Sequence, residues 1–128
     1  MTVRHAPRSS GLPTAAGPYS QVAGIGKLIA VSGQVGVDPA TGQIVDGVTA
    51  QTRQALANLH AALAAAGAGP QDVLRVGVFL TDVRHFADVN EVYAEAFDAP
   101  YPARVTVYVG LPLGLLVEID AFAVLPGS

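Results

Sequence analysis

Two stretches near the end of the chain, about Ala103 to Gly110 and Leu115 to Leu125, alternate in character residue by residue. In the second, Val117, Ile119, Ala121 and Ala123 alternate with Glu118, Asp120, Phe122 and Val124. A period of two marks a strand with one face against a core and the other turned away. In the first, Val105, Val107 and Val109 alternate with Arg104, Thr106 and Tyr108. The aliphatic rows are expected beneath a helical layer. The opposite face is then expected to mix Arg104, Glu118 and Asp120 with Tyr108 and Phe122.

The rest of the chain supplies that helical layer. Leu56, Leu59 and Leu63 fall on one helical face, extended by Thr52 and Ala66, and Gly67 provides a C-terminal cap. A helix is therefore expected from Thr49 to Ala66. A second runs through Phe86, Val89, Tyr93 and Phe97, with Asp82 as its cap and Pro100 and Pro102 forbidding continuation. Strands are expected at Tyr19 to Ala23, Lys27 to Val35 and Asp72 to Thr81. Gly24-Ile25-Gly26 is read as the turn of a hairpin. In the third strand Val76, Val78 and Leu80 oppose Arg75, Gly77 and Phe79. The order is strand, strand, helix, strand, helix, strand, strand. It predicts a single α+β domain, about residues 17–126, with both helices on one face of the sheet. Residues 1–16, rich in Pro, Ser and Gly, read as a flexible N-terminal arm.

Composition narrows the function. Of 128 residues, 51% are hydrophobic and only 13% are charged, so a lone copy should expose apolar surface that a partner would cover. The net charge is -3, with one lysine (Lys27) and arginines scattered at Arg4, Arg8, Arg53, Arg75, Arg84 and Arg104. That pattern speaks against a nucleic-acid partner. The absence of cysteine removes disulfides, thiolate metal sites and a cysteine nucleophile. No apolar run is long enough to span a bilayer, and the start of the chain lacks the apolar core of a secretory signal, so a cytoplasmic protein is expected.

The mixed face has two readings. Arg104 could simply pair across strands with an acid, an interaction worth roughly 0.2–1 kcal/mol. Alternatively, the aromatics and few charges mark an interface enclosing an anion pocket, in which the planar fork of Arg104 grips a carboxylate. Glu118 could then orient or deprotonate a water. Alternation alone leaves the two even. His5, His60 and His85 lack the spacing of a helical zinc site. The glycines at 24, 26, 33 and 36 lack the strand-to-helix context of a phosphate loop.

Seven segments, in order, carry a resemblance: Gly17 to Gln21 (GPYSQ), Val31 to Val35 (VSGQV), Gln51 to Leu59 (QTRQALANL), Val78 to Asp82 (VFLTD), Phe86 to Phe97 (FADVNEVYAEAF), Tyr101 to Arg104 (YPAR) and Val117 to Val124 (VEIDAFAV). Together they resemble the Rid (YjgF) family of small imine deaminases. The resemblance implies a chorismate-mutase-like domain assembled as a homotrimer, with sites at subunit interfaces and no cofactor. It also implies hydrolysis of 2-imino and enamino acids, such as 2-iminobutanoate and 2-iminopropanoate, to 2-oxo acids and ammonia. Carried onto this chain, Arg104 clamps the substrate carboxylate, Glu118 holds the hydrolytic water, and Tyr19 lines the pocket. Ser32, Gly33, Asn90 and Thr106 are the remaining substrate-binding positions.

Two features depart from the family pattern. Thr106 stands where many active members have cysteine, and the uncharged loop 110–114 is about one residue short. Three functional classes follow: imine deaminase, non-catalytic trimeric binder of small carboxylates, and endoribonuclease. The last is disfavoured by the acidic balance.

Overall fold

The computed structural model describes residues 3–127. Five strands form one mixed sheet: β1 (Val22–Ile25), β2 (Leu28–Val35), β3 (Val73–Leu80), β4 (Ala103–Tyr108) and β5 (Val117–Val124). Their spatial order is β1-β2-β5-β3-β4, with only the β3–β4 pair parallel. Helix α1 (Val48–Ala65) connects β2 to β3, and α2 (Phe86–Ala96) connects β3 to β4. The fold class expected from the sequence, a single α+β domain with two helices over a mixed sheet, is the one observed.

The hairpin turn falls at Gly26-Lys27, between the paired Ile25 and Leu28. Gly24 belongs to β1 instead, and its backbone exchanges two 2.9 Å hydrogen bonds with His5. The stretch that reads as a loose arm is thereby attached to the sheet edge at His5, while its Pro13 carbonyl accepts from Gln21 Nε2 and Leu12 packs against the core.

Helix α1 buries Thr52, Leu56, Leu59 and Leu63 on one face, as its spacing requires. Its end is a reciprocal cap: Ala68 N–H donates to the Leu63 carbonyl and Gly67 N–H to that of Ala64. Gly67 sits at φ 85°, a left-handed conformation that glycine adopts without steric cost. Asp82 caps a short 3-10 turn (Val83–His85) leading into α2, its carboxylate accepting from Arg84 N–H. Beneath the helices lie Val76, Val78 and Leu80 of β3 and Val117, Ile119, Ala121 and Ala123 of β5. The inward row of β5 is the one its alternation identifies.

Strand β4 is the opposite of its expectation. Its parallel register pairs Val76 with Arg104 and Val78 with Thr106, so Arg104 and Thr106 lie on the helix side. Val105 and Val107 pair with Gly77 and Phe79 and share the open face with Glu118, Asp120 and Phe122. They are 36% and 37% exposed. The reason is that the open face is itself apolar, so polarity does not reveal which side of an edge strand points inward. On the helix side of β4, the Arg104 side chain reaches Asn90 of α2.

Candidate functional site

Asn90 and Tyr93, three residues apart on α2, face β4 together. The Arg104 guanidinium lies between them. Its Nη2 donates to Asn90 Oδ1 at 2.6 Å and its Nε to Thr106 Oγ1 at 3.0 Å. The Tyr93 ring lies beneath it, 4.7 Å from Cζ to the ring centroid, and the Phe86 ring flanks it at 5.7 Å. Such contacts hold a cation without neutralising it.

Ion pairs among the described residues join Arg53 to Glu95 and Arg84 to Asp82, and neither involves Arg104. The cross-strand pairing with an acid does not form, because the register puts Glu118 and Asp120 on the other side of the sheet. The half-buried guanidinium is held by two neutral acceptors and two aromatic rings, which leave its charge uncompensated.

Tyr93 has no place among the residues singled out from sequence, where it reads as part of a core stripe. It is buried, its hydroxyl has no hydrogen-bond partner among the described residues, and burial raises its pKa above the usual tyrosine value. Its spacing of three from Asn90 is the signal that could have identified it.

On the open face a second cluster forms around Glu118. Strand β2 carries an irregularity against β5: Val31 pairs with Ala121 and Gln34 with Ile119, so Ser32 and Gly33 together face the single Asp120. A bulge of this kind redirects side chains and is frequent beside functional sites. Ser32 Oγ donates to the Ser20 carbonyl at 2.5 Å, and Ser32 N–H to that of Gln21 at 2.9 Å. Tyr19, next in sequence to Ser20, is half exposed, and its hydroxyl accepts from Ala16 N–H.

Gly33 lies directly against Glu118. A Cβ built at position 33 would stand 2.6 Å from Glu118 Oε2, so the missing side chain is what makes room for the carboxylate. Burial first, and the charge of Asp120 second, raise the Glu118 carboxyl above its ordinary range.

The sequence-derived residues thus fall into two groups within one chain. Arg104, Asn90 and Thr106 meet on the helix side of β4. Ser32 and Gly33 meet beside Glu118 on the open face, with Tyr19 on the segment just before β1. Glu118 pairs with Phe79, and Phe79 with Val107, so roughly two strand spacings, about 10 Å, separate β5 from β4. Within a single chain, Arg104 and Glu118 thus lie on opposite faces of the sheet.

Buried Gln51 also escapes a search for chemistry-bearing residues. It fastens the segment before β5 by donating to the Gly114 carbonyl and accepting from Leu116 N–H. No three His, Asp or Glu side chains gather in a metal-binding arrangement among the described residues.

The two-layer α+β domain thus carries, on one side of its sheet, an arginine that makes no ion pair among the described residues and, on the other, a glutamate whose pKa is raised. Residues 10–125 match the family model described as Endoribonuclease L-PSP. The chain belongs to that family, also known as the YjgF/RidA family. It is 43% identical over 124 residues to the 2-iminobutanoate/2-iminopropanoate deaminase of Capra hircus, covering 95% of this chain and 90% of that protein. Among solved structures, RidA from Psychrobacter sp. PAMC 21119 superposes with a TM-score of 0.92 at 38% identity, covering 94% of this chain and 99% of that one. E. coli TdcF with bound serine superposes with a TM-score of 0.90 at 40% identity, covering 94% and 98%.

Proposed function

We propose that this protein hydrolyses 2-imino and enamino acids, such as 2-iminobutanoate and 2-iminopropanoate, to 2-oxo acids and ammonia. The sites are completed between copies of a cytoplasmic homotrimer. Arg104 with Asn90 and Thr106 comes from one subunit, and Glu118 with Gly33, Ser32 and Tyr19 from its neighbour. The observation that carries the reading is the Arg104 guanidinium, fixed by neutral groups and free of any carboxylate among the described residues. The apolar open face of Val105, Val107 and Phe122 favours burial against further copies. The goat relative carries the deaminase name, and the serine in TdcF is a small molecule with an α-carboxylate.

The chemistry follows from the two clusters. Arg104 holds the substrate carboxylate, which places the adjacent C=N carbon near the neighbour's Glu118. Water adds to that carbon as Glu118 takes one of its protons and passes it to the imine nitrogen, which returns Glu118 to the carboxylate. The resulting carbinolamine passes its hydroxyl proton, through Glu118, to the nitrogen. The C–N bond then breaks, releasing ammonia and leaving the 2-oxo acid. A carboxylate of raised basicity suits this shuttling. No external oxidant, metal or organic cofactor enters the balance.

The bound serine of TdcF is equally compatible with a trimer that binds small carboxylates without turning them over. Turnover separates the two readings. A threonine dehydratase generates 2-iminobutanoate in solution, and addition of this protein is expected to accelerate the imine's disappearance well beyond the rate in buffer. Binding of 2-oxobutanoate without acceleration would overturn the enzymatic reading in favour of the binding module.

A further inference from the structure

We infer that Thr106 is a positioning residue that dictates which edge of the Arg104 guanidinium receives the substrate carboxylate. The inference rests on the proposed role of Arg104 and goes beyond it by assigning Thr106 to the arginine rather than to the substrate.

A guanidinium can grip a carboxylate with two parallel hydrogen bonds along either of two edges, Nε with Nη2 or Nη1 with Nη2. Nε carries a single hydrogen, and Thr106 Oγ1 accepts it at 3.0 Å. The Nε edge is therefore occupied. Asn90 Oδ1 takes one hydrogen of Nη2, and no described residue bonds to Nη1. The Tyr93 ring packs against the group, its centroid 4.7 Å from Cζ. With the Nε edge closed, the carboxylate enters along the edge that contains Nη1.

Thr106 suits this task by its place in the strand. It is two residues from Arg104 on β4, so both side chains leave the same face of the sheet. Its β-branched side chain has restricted χ1 freedom, which keeps the hydroxyl oxygen in one orientation. The hydroxyl proton stays available to a second acceptor while the oxygen accepts from Nε.

Three variants test the inference. Thr106→Val keeps shape and branching but removes the acceptor. Thr106→Ala removes it without adding volume, and Thr106→Ser keeps the oxygen. A hydrogen bond to a charged group is strong enough that its loss corresponds to about tenfold in affinity. Thr106→Val and Thr106→Ala are expected to raise KM for 2-iminobutanoate and Kd for 2-oxobutanoate by about tenfold, with kcat within about twofold of wild type. Thr106→Ser should restore both.

The Arg104 Nε–H resonance gives an independent reading by NMR. Its exchange with water should be slow in wild type and Thr106→Ser, and fast in the other two variants. Wild-type KM and slow Nε–H exchange in Thr106→Val would overturn the inference. So would a Thr106→Ser variant that behaves like Thr106→Val, since the methyl group and not the oxygen would then matter. A wild type that neither binds 2-oxobutanoate nor consumes the imine would overturn both this inference and the proposed function. An unaltered Thr106→Val beside an active wild type overturns this inference alone.

Discussion

Replacing Glu118 with glutamine is expected to slow imine hydrolysis by on the order of 10²–10⁴ while leaving the affinity for a 2-oxo acid nearly unchanged. Glutamine has almost the shape of glutamate and still fits beside Gly33, where the absence of a Cβ makes room for it. It cannot take a proton from water. The Arg104 cluster, on the other side of the sheet, is untouched by the change.

The same variant carries a stability signature that a packing role would not produce. The Glu118 carboxyl is raised from its ordinary 4.5 by burial and by Asp120. Between that value and the folded-state value, the native chain holds a proton that the unfolded chain has lost. Stability therefore falls as pH rises through this window, and the loss is complete above it. Glu118→Gln should accordingly raise the thermal midpoint at neutral pH, and the advantage should vanish below the ordinary glutamate range. Full turnover in Glu118→Gln would move water activation to another group.

Arg104→Lys is expected to weaken binding of 2-oxobutanoate by at least about tenfold while the chain stays folded. Lysine keeps the positive charge but loses the fork, and each hydrogen bond to a charged group is worth roughly 1.5–3 kcal/mol. The substitution also leaves Asn90 Oδ1 and Thr106 Oγ1 without the donors they now have. A point charge over the Tyr93 ring can still make a cation–π contact, so the helix-to-strand packing has reason to survive. Calorimetric titration with 2-oxobutanoate and pyruvate measures the effect. Affinities equal to wild type would make Arg104 a structural residue only.

How legible these features are in the sequence depends on where each sits. The row Val117, Ile119, Ala121, Ala123 is readable because β5 lies in the middle of the sheet, with helices over one face only. The α1 stripe is readable for the same reason, since its buried face meets a continuous core. Strand β4 is misleading because it is an edge strand whose aliphatic residues face outward and whose arginine faces inward. Alternation defines two faces but does not orient them. Orientation comes from the parallel register with β3, a long-range pairing that no local pattern encodes.

The candidate site shows the same division. Arg104, Asn90 and Thr106 are each readable as candidates, but their mutual contact depends on a side chain of α2 meeting one of β4. The bulge that places Ser32 and Gly33 opposite Asp120 is likewise a matter of pairing between β2 and β5. Tyr93 was hidden because an aromatic residue in a helical stripe has the same pattern whether it fills a core or underlies a guanidinium. The hairpin turn slipped for a local reason: several glycines lie close together, and Gly24 is the one that pairs with the arm.

The central claim is that Arg104 and Glu118 serve one site from different copies of the chain. Arg104→Lys and Glu118→Gln proteins, each strongly impaired alone, can be mixed in equal amounts under denaturing conditions and refolded together. Light scattering should give the mass of a trimer for the mixture. In a randomly mixed trimer, each interface combines an arginine from one subunit with a glutamate from the next, so about a quarter of the sites regain both native residues. Imine hydrolysis at about a quarter of the wild-type rate is the expected result. A mixture that assembles yet stays as inactive as its parents would contradict it, because the two residues would then have to act within one chain.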